Sequence, residues 1–527
     1  MAERMLTVTA VVAVLLAAVL VPIGLHFRSE TEVAIDYLPG KNSTVLFVTN
    51  NQHGLSNVHL ATAQSLVERH PHVQVHYASF SSWGARVARV SELARMQAPS
   101  APEITFHEIQ GQSYAEAVHA RVVSRNPSTM WFRHAPGLNG YPELNQMLQD
   151  FVSPWEADAH LSLYEEVQEA IGRVDPAVVV LDGLLSPAID ATREANRRLV
   201  FVAPNSLHDH LAFEQPYGKG FWKYPCMCSD IPFPVPWHRI PENIYLASRF
   251  IYSVYISPQW RASAALLKER GISAPTQVRD GKALYIAPYI PGGTLPLEVV
   301  RSDTLGTNSI VLESAPAAQQ DSELANWLQN APTLLINLGS AYRYSEESAS
   351  IMAQAIQVVL AQTEVQVLWK LARDYEFGDE FKDPLGGYVT GDRIRISSWL
   401  PIDAMAMMET GHIIASVHHG GANSYHEALA GGVPHVVVPM WVDLYNYATL
   451  AEFTGVGVYA TRGTAPDWSV EGLSSAFLAV LTGPNSAGMR EKARAVAERM
   501  RRGSGEPPGR KGDCGIGDSQ VPLVQGT

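Results

Sequence analysis

At 527 residues the chain exceeds what one ordinary core accommodates, so two large domains are the default. Hydrophobic content of 46% with 17% charged residues excludes a disordered chain, and a net charge of −13 excludes a general nucleic-acid binder, since phosphate backbones reward basic faces. Cys226, Cys228 and Cys514 are too few for a disulfide framework, and Cys226-x-Cys228 lacks the spacing and second pair of a zinc site, so they read as structural thiols.

The stretch Met5 to Phe27, MLTVTAVVAVLLAAVLVPIGLHF, carries no charged residue. As a helix it would run roughly 35 Å, enough to cross a hydrocarbon core of about 30 Å. No small-x-small cleavage site follows, so residues 1–30 are expected to form a single-pass anchor rather than a cleaved signal peptide. Arg4 precedes the span, and Glu30, Glu32 and Asp36 follow it. The positive-inside rule then places the remainder on the lumenal side of the endoplasmic reticulum or another endomembrane. The glycosylation sequon Asn42-Ser43-Thr44 agrees with that.

Beyond the anchor, Thr44–Thr49, Val73–Ala78, Ala177–Leu181 and Leu199–Ala203 read as strands, with helices beginning near Asn57 and spanning Pro187–Arg197. A second set follows at Thr333–Leu338, Val365–Trp369, Ile394–Ser397, Ile413–Val417 and Val433–Val438. Continuous rather than alternating apolar runs point to parallel strands buried on both faces. The expected fold class is therefore α/β, with two Rossmann-like doubly wound parallel-sheet domains facing a cleft that would hold the ligand. Their bounds are read as 31–315 and 316–500, with the linker near 311–325 and a disordered Gly- and Pro-rich tail at 501–527.

The densest chemistry lies in Ser416 to Asn446, SVHHGGANSYHEALAGGVPHVVVPMWVDLYN. A strand ending in His419-Gly420-Gly421 feeds a helix starting near Asn423, and such a helix N-terminus exposes unpaired N–H groups suited to phosphate. His419 can add a donor, Asn423 and Ser424 stand in the first turn, and Glu427 falls one turn on, where a carboxylate could accept from a ribose diol. Ser424-x-x-Glu427 also fits a capping box that needs no ligand. Neither a dinucleotide fingerprint nor a phosphate-binding P-loop is present, and His426-Glu427 lacks the second histidine of a zinc protease.

The segment from Trp399 to about Tyr447 resembles the nucleotide-sugar signature of the family 1 UDP-dependent glycosyltransferases of GT-B architecture, in wording similar to the fungal members. It reads Trp399-Leu400-Pro401, then His419-Gly420-Gly421-Ala422-Asn423-Ser424, Glu427, Gly432-Val433-Pro434, and Pro439 with Asp443. The resemblance implies that Trp399 stacks on uracil, that His419 and Ser424 hold the diphosphate, and that Glu427 binds the ribose. It further implies that Asp443 contacts the sugar and that Gly339-Ser340, the family's strand-end pair, approaches the phosphates. Trp369 and Trp441 are read as packing residues.

The chain departs from the family at three places. Ile402 and Leu444 stand where it often has glutamine, so the donor sugar is open, glucose being the family's commonest. The histidine that deprotonates the acceptor falls on Leu55. His53, two residues earlier, and Asp182, the matching acid at a strand end, are the candidate catalytic residues, while His59 is read as a surface or packed residue.

No cofactor or metal is expected, because the helix N-terminus and His419 can stabilise the departing phosphate. The aromatic- and proline-rich stretch 207–241, with the anchor, suggests a small hydrophobic hydroxyl-bearing acceptor. The resulting expectation is a membrane-anchored inverting UDP-hexosyltransferase. A nucleotide-sugar epimerase and a non-catalytic UDP-sugar binder are the alternatives.

Overall fold

The structure, a computed structural model, describes residues 37–123, 132–152, 154–255, 258–272 and 283–502. The N-terminal sheet contains β1 (Lys41–Val48), β2 (Gln74–Ser79), β3 (Thr105–Glu108), β4 (Pro176–Leu181), β5 (Arg198–Val202), β6 (Leu284–Pro288) and β7 (Thr304–Thr307). Its order is β3-β2-β1-β4-β5-β6-β7, with every neighbouring pair parallel. The second sheet contains β8 (Thr333–Ile336), β9 (Gln366–Lys370), β10 (Ile394–Ser397), β11 (Ile413–His418), β12 (His435–Val437) and β13 (Gly457–Tyr459). Its order is β10-β9-β8-β11-β12-β13, again all parallel.

Continuous apolar strands follow from burial on both faces. In β1, Leu46 and Val48 join one core cluster while Phe47 joins another on the opposite face. In β8, Leu334 and Ile336 face one cluster and Leu335 the other. Strand order reverses between β1 and β4 and between β8 and β11, so loops leaving these strand ends splay apart and open a crevice.

Several expectations are corrected. β3, β6, β7 and β13 are additional to the strands read from the sequence. β3 and β7 are four-residue edge strands with little buried surface, β13 has three residues, and β6 has five, ending in Pro288. The first helix begins at His53, not near Asn57, behind Gln52. Part of the supposed linker is folded: helices Ala317–Gln320 and Ser322–Leu328 pack into the second half, and the Asp321 side chain caps the latter by accepting from Leu324 N at 2.9 Å. The last described helix, Ser486–Arg502, returns to the first half, where Asn308 Nδ2 donates to Met500 O at 3.0 Å.

The stretch read as an anchor, the tail from 503 onward and Cys514 lie outside the described residues. Among the described residues no helix is long and apolar enough to cross a membrane. Cys226 and Cys228 are buried free thiols, and burial pushes the Cys226 thiol up to about 12.

Candidate functional site

The loop after β11 is shaped by its glycines. Gly420 has φ +98°, and a Cβ there would meet Leu444 O at 2.8 Å. A Cβ on Gly339 or on Gly421 would each lie 2.6 Å from the His419 ring, so the imidazole is slotted between two glycines. Behind the loop, Gly420 N donates to His418 Nδ1 at 3.1 Å, and His418 Nε2 lies 2.9 Å from His435 Nδ1. The helix that follows, Ala422–Gly431, is capped by Gly421, which has no side chain. Ser424 and Glu427 therefore lie inside the helix and form no capping box, and the first-turn N–H groups keep no side-chain acceptor. His419 Nδ1 is a buried ring nitrogen without a partner among the described residues, and burial followed by the Lys370 charge lowers its pKa to about 4. A neutral imidazole beside bare helical N–H groups is a donor set for an anion.

Trp399 follows β10 with 52% of its surface exposed, as a stacking platform requires. Lys370 Nζ lies 3.8 Å from its ring centroid, and the His53 ring approaches it edge-on at 6.0 Å. Glu427 is pushed up to about 7 by burial and by Asp403, opposed by Arg86. Asp443 follows β12 and accepts from Asn205 Nδ2, beyond β5, at 2.9 Å. Burial raises Asp443 to about 6, with Asn205 opposing and Asp209 adding to the rise. Asn423 spans the cleft differently from expectation: its Nδ2 donates to the backbone oxygens of His53 at 3.2 Å and Gly54 at 3.0 Å, tying the two halves together.

The two candidate catalytic residues are not joined by a hydrogen bond. His53 opens its helix and packs edge-on against Trp83 at 5.1 Å as well as Trp399. Burial, then Arg86 and Lys370, lower its pKa to about 4. Asp182 directly follows β4 and is buried, its Oδ1 accepting from Leu184 N at 2.9 Å and its Oδ2 from the Asn50 side chain. Burial holds its carboxyl above the ordinary carboxylate range, opposed first by His59. His59 is packed, not exposed, with Nδ1 3.1 Å from Leu55 O and Nε2 3.0 Å from Leu181 O.

These groups share one cavity of about 1590 Å³. Gly339, Ser340, Trp399, His419, Gly421 and Glu427 line one end, with Asn423, Ser424, Asp443, His53, Leu55 and Asp182 also on its wall; Gly420 supports the loop from behind. The remaining wall is largely apolar, including Tyr114, Phe151, Phe201, Phe250 and Trp260. Trp369 is fully buried, as a packing residue should be, whereas Trp441 packs against His419 at 5.7 Å and reaches the cavity. Sequence reasoning missed Lys370, Asn205, Asp209 and Arg86. The first two sit at or just beyond strand C-terminal ends, a position that could have singled them out.

Comparison with known proteins agrees with this geometry. The family model of the erythromycin biosynthesis protein CIII-like C-terminal domain matches residues 386–503. Glycosyltransferase sdnJ of Sordaria araneosa is 33% identical over 436 residues, covering 80% of this chain and 84% of that protein. The 2-hydroxyacylsphingosine 1-beta-galactosyltransferase of Rattus norvegicus is 23% identical over 321 residues, 56% of this chain and 53% of that protein. A UDP-glucosyltransferase from Polygonum tinctorium superposes with a TM-score of 0.57 at 15% identity, covering 88% of this chain and 94% of the other. A ugt transferase from Siraitia grosvenorii in complex with UDP gives a TM-score of 0.53 at 15% identity, covering 88% and 96%. At such identities the superpositions speak to the GT-B fold.

Proposed function

The chain belongs to the family 1 UDP-glycosyltransferases, and we propose that it moves a hexose, glucose in the first instance, from a UDP-sugar to a hydroxyl of a small lipophilic acceptor with inversion. The observation that carries this reading is the single cavity in which an anion cradle and an apolar, aromatic-walled chamber meet, with a buried carboxylate on the wall. In it the Gly421-capped helix N-terminus and His419 hold the diphosphate, Glu427 the ribose, and Trp399 the uracil. Asp443, steadied by Asn205, takes the sugar, since Leu444 offers no hydrogen bond in the slot where the family often has glutamine.

Asp182 receives the acceptor proton. It lines the cavity and is held by Leu184 N and Asn50, whereas His53 is turned toward the tryptophans. The acceptor oxygen attacks the anomeric carbon as the bond to the β-phosphate breaks. Reaction without a metal is part of this proposal: EDTA should leave the rate unchanged. So is a membrane-anchored chain with its catalytic part lumenal. The exposed Asn42 would then carry glycan, read as a mobility shift on endoglycosidase treatment.

Calorimetric titration of UDP tests the reading whatever the acceptor is. Binding should collapse in His419→Ala and weaken in Glu427→Ala, and turnover should depend on an added lipophilic alcohol or phenol. Absence of UDP binding by the folded wild-type chain would overturn the donor site. Turnover of UDP-sugar without any acceptor would favour the epimerase.

A further inference from the structure

Lys370 ends β9, and its side chain is buried in the floor of the cleft. Its Nζ donates to Gly339 O at 3.0 Å and lies over the Trp399 ring, but among the described residues no carboxylate forms an ion pair with it. Arg343, whose guanidinium donates to Ser340 O at 3.0 Å, adds a second positive charge to the same turn. Burying an ammonium among neutral and positive neighbours is costly unless an anion completes the site. Burial and Arg343 accordingly lower the Lys370 pKa to about 8. The backbone around it points to the same anion: Gly339 and His419 are in contact range of each other, and the first-turn N–H groups of Ala422–Gly431 stand open beside them.

We propose that Lys370 is a cationic ligand of the donor diphosphate and a catalytic residue that neutralises the departing UDP. The inference rests on the UDP-sugar reading given above. As the acceptor oxygen bonds to the anomeric carbon, the bond from that carbon to the β-phosphate oxygen breaks, and its electron pair stays on the phosphate. UDP thus leaves with one more negative charge than it carried in the sugar ester, and the acceptor proton passes to Asp182. A fixed ammonium in a water-poor floor stabilises that added charge in the transition state more than in the ground state. The same ammonium, lying on the Trp399 ring, aligns the indole, so the phosphate and base ends of the nucleotide are organised by one side chain.

Calorimetry on the full chain with UDP, UMP and uridine separates the roles, comparing wild type, Lys370→Met and Lys370→Arg, with thermal melting to verify folding. Lys370→Met is expected to lose about 10- to 100-fold in UDP affinity while changing uridine affinity by less than about threefold. Lys370→Arg should keep most of the preference for UDP over uridine. Equal losses for UDP and uridine in Lys370→Met would reduce Lys370 to a prop for Trp399 and overturn the proposal, as would an unchanged UDP affinity. A Lys370→Arg variant as indifferent to the diphosphate as Lys370→Met would also overturn it. Wild-type chain that bound no UDP would instead sink the donor reading, and this inference with it.

Discussion

Asn205 Nδ2 donates to Asp443 Oδ2 at 2.9 Å across the cleft, joining the loop beyond β5 to the loop beyond β12. The bond orients the carboxylate proposed to take the donor sugar and resists the rise in its pKa that burial causes. Asp443→Ala should therefore lower kcat/KM by about 10- to 100-fold while leaving UDP affinity within about threefold. Asn205→Ala should do the same to a smaller extent, and the double variant should be no worse than Asp443→Ala, because both act through one contact. Steady-state transfer with several UDP-hexoses, beside UDP calorimetry, checks this. Independent, additive losses would show that Asn205 meets the substrate on its own.

Two sets of buried groups pull the stability of the unliganded chain in opposite directions with pH. Burial lowers His208, His426 and His435 to about 3 and His53 and His419 to about 4. For these the unfolded state binds more protons, so stability is lost as pH falls below the unfolded histidine range. Asp209 and Asp443 are raised to about 6 and Glu427 to about 7. For these the folded state binds more protons, so their contribution is lost as pH rises through those values. The histidines are more numerous, and the melting temperature should climb as pH rises from about 4.5 toward about 6.5. Glu427→Gln should raise it at about pH 7.5 and leave it unchanged at about pH 4.5. A gain from Glu427→Gln at acid pH would contradict the assignment.

The candidate donor half of the cleft was legible because its signature is nearly contiguous: from Ser397 to Asp443 the ends of β10, β11 and β12 follow one another in the sequence, and the loops leaving them bring Trp399, His419 and Asp443 to one cavity. The two-sheet architecture was legible because Val45–Val48 in β1 and Leu334–Ile336 in β8 are continuous apolar runs packed on both faces of their sheets. Lys370, Asn205 and Arg86 were not legible. Each acquires its role only when a strand or helix distant in sequence is brought to the crevice, and a lone Lys, Asn or Arg carries no local pattern. Asn423 shows the converse, since its motif position suggests a phosphate contact while its amide holds the backbone of His53 and Gly54. Short edge strands such as β3 lack the buried surface that imprints a pattern on sequence.

Closure of the cleft rests on bonds that are testable as stability. Asn446 Oδ1 accepts from Cys228 N at 2.9 Å, and its Nδ2 donates to Cys226 O at 3.2 Å. Cys228 is buried, so Asn446→Ala strands a backbone N–H away from water. The expected cost is about 1–3 kcal/mol in urea unfolding. Asn446→Asp, which keeps the acceptor and loses the donor, should cost less. A neutral Asn446→Ala would mean that the two halves part without penalty at this seam.

The loss of the family's histidine at Leu55 makes the identity of the base measurable through the acidity of the acceptor. An aliphatic alcohol stays protonated at neutral pH and needs a base in the transition state, whereas an acidic phenol is largely ionised before it attacks. If Asp182 takes the proton, Asp182→Asn should slow transfer to an aliphatic hydroxyl by about 10²- to 10⁴-fold and to an acidic phenol by far less. His53→Gln should spare that contrast, because His53 packs on Trp83 and Trp399 and makes no hydrogen bond to Asp182. The pH profile carries the sign. Burial raises the Asp182 pKa, and only the ionised carboxylate accepts a proton, so kcat/KM for the aliphatic acceptor should fall as pH drops through that raised value. The phenol profile should lack this limb. A His53→Gln variant that loses the aliphatic reaction while Asp182→Asn keeps it would reverse the assignment, and the base would then sit on the nucleotide side of the cleft.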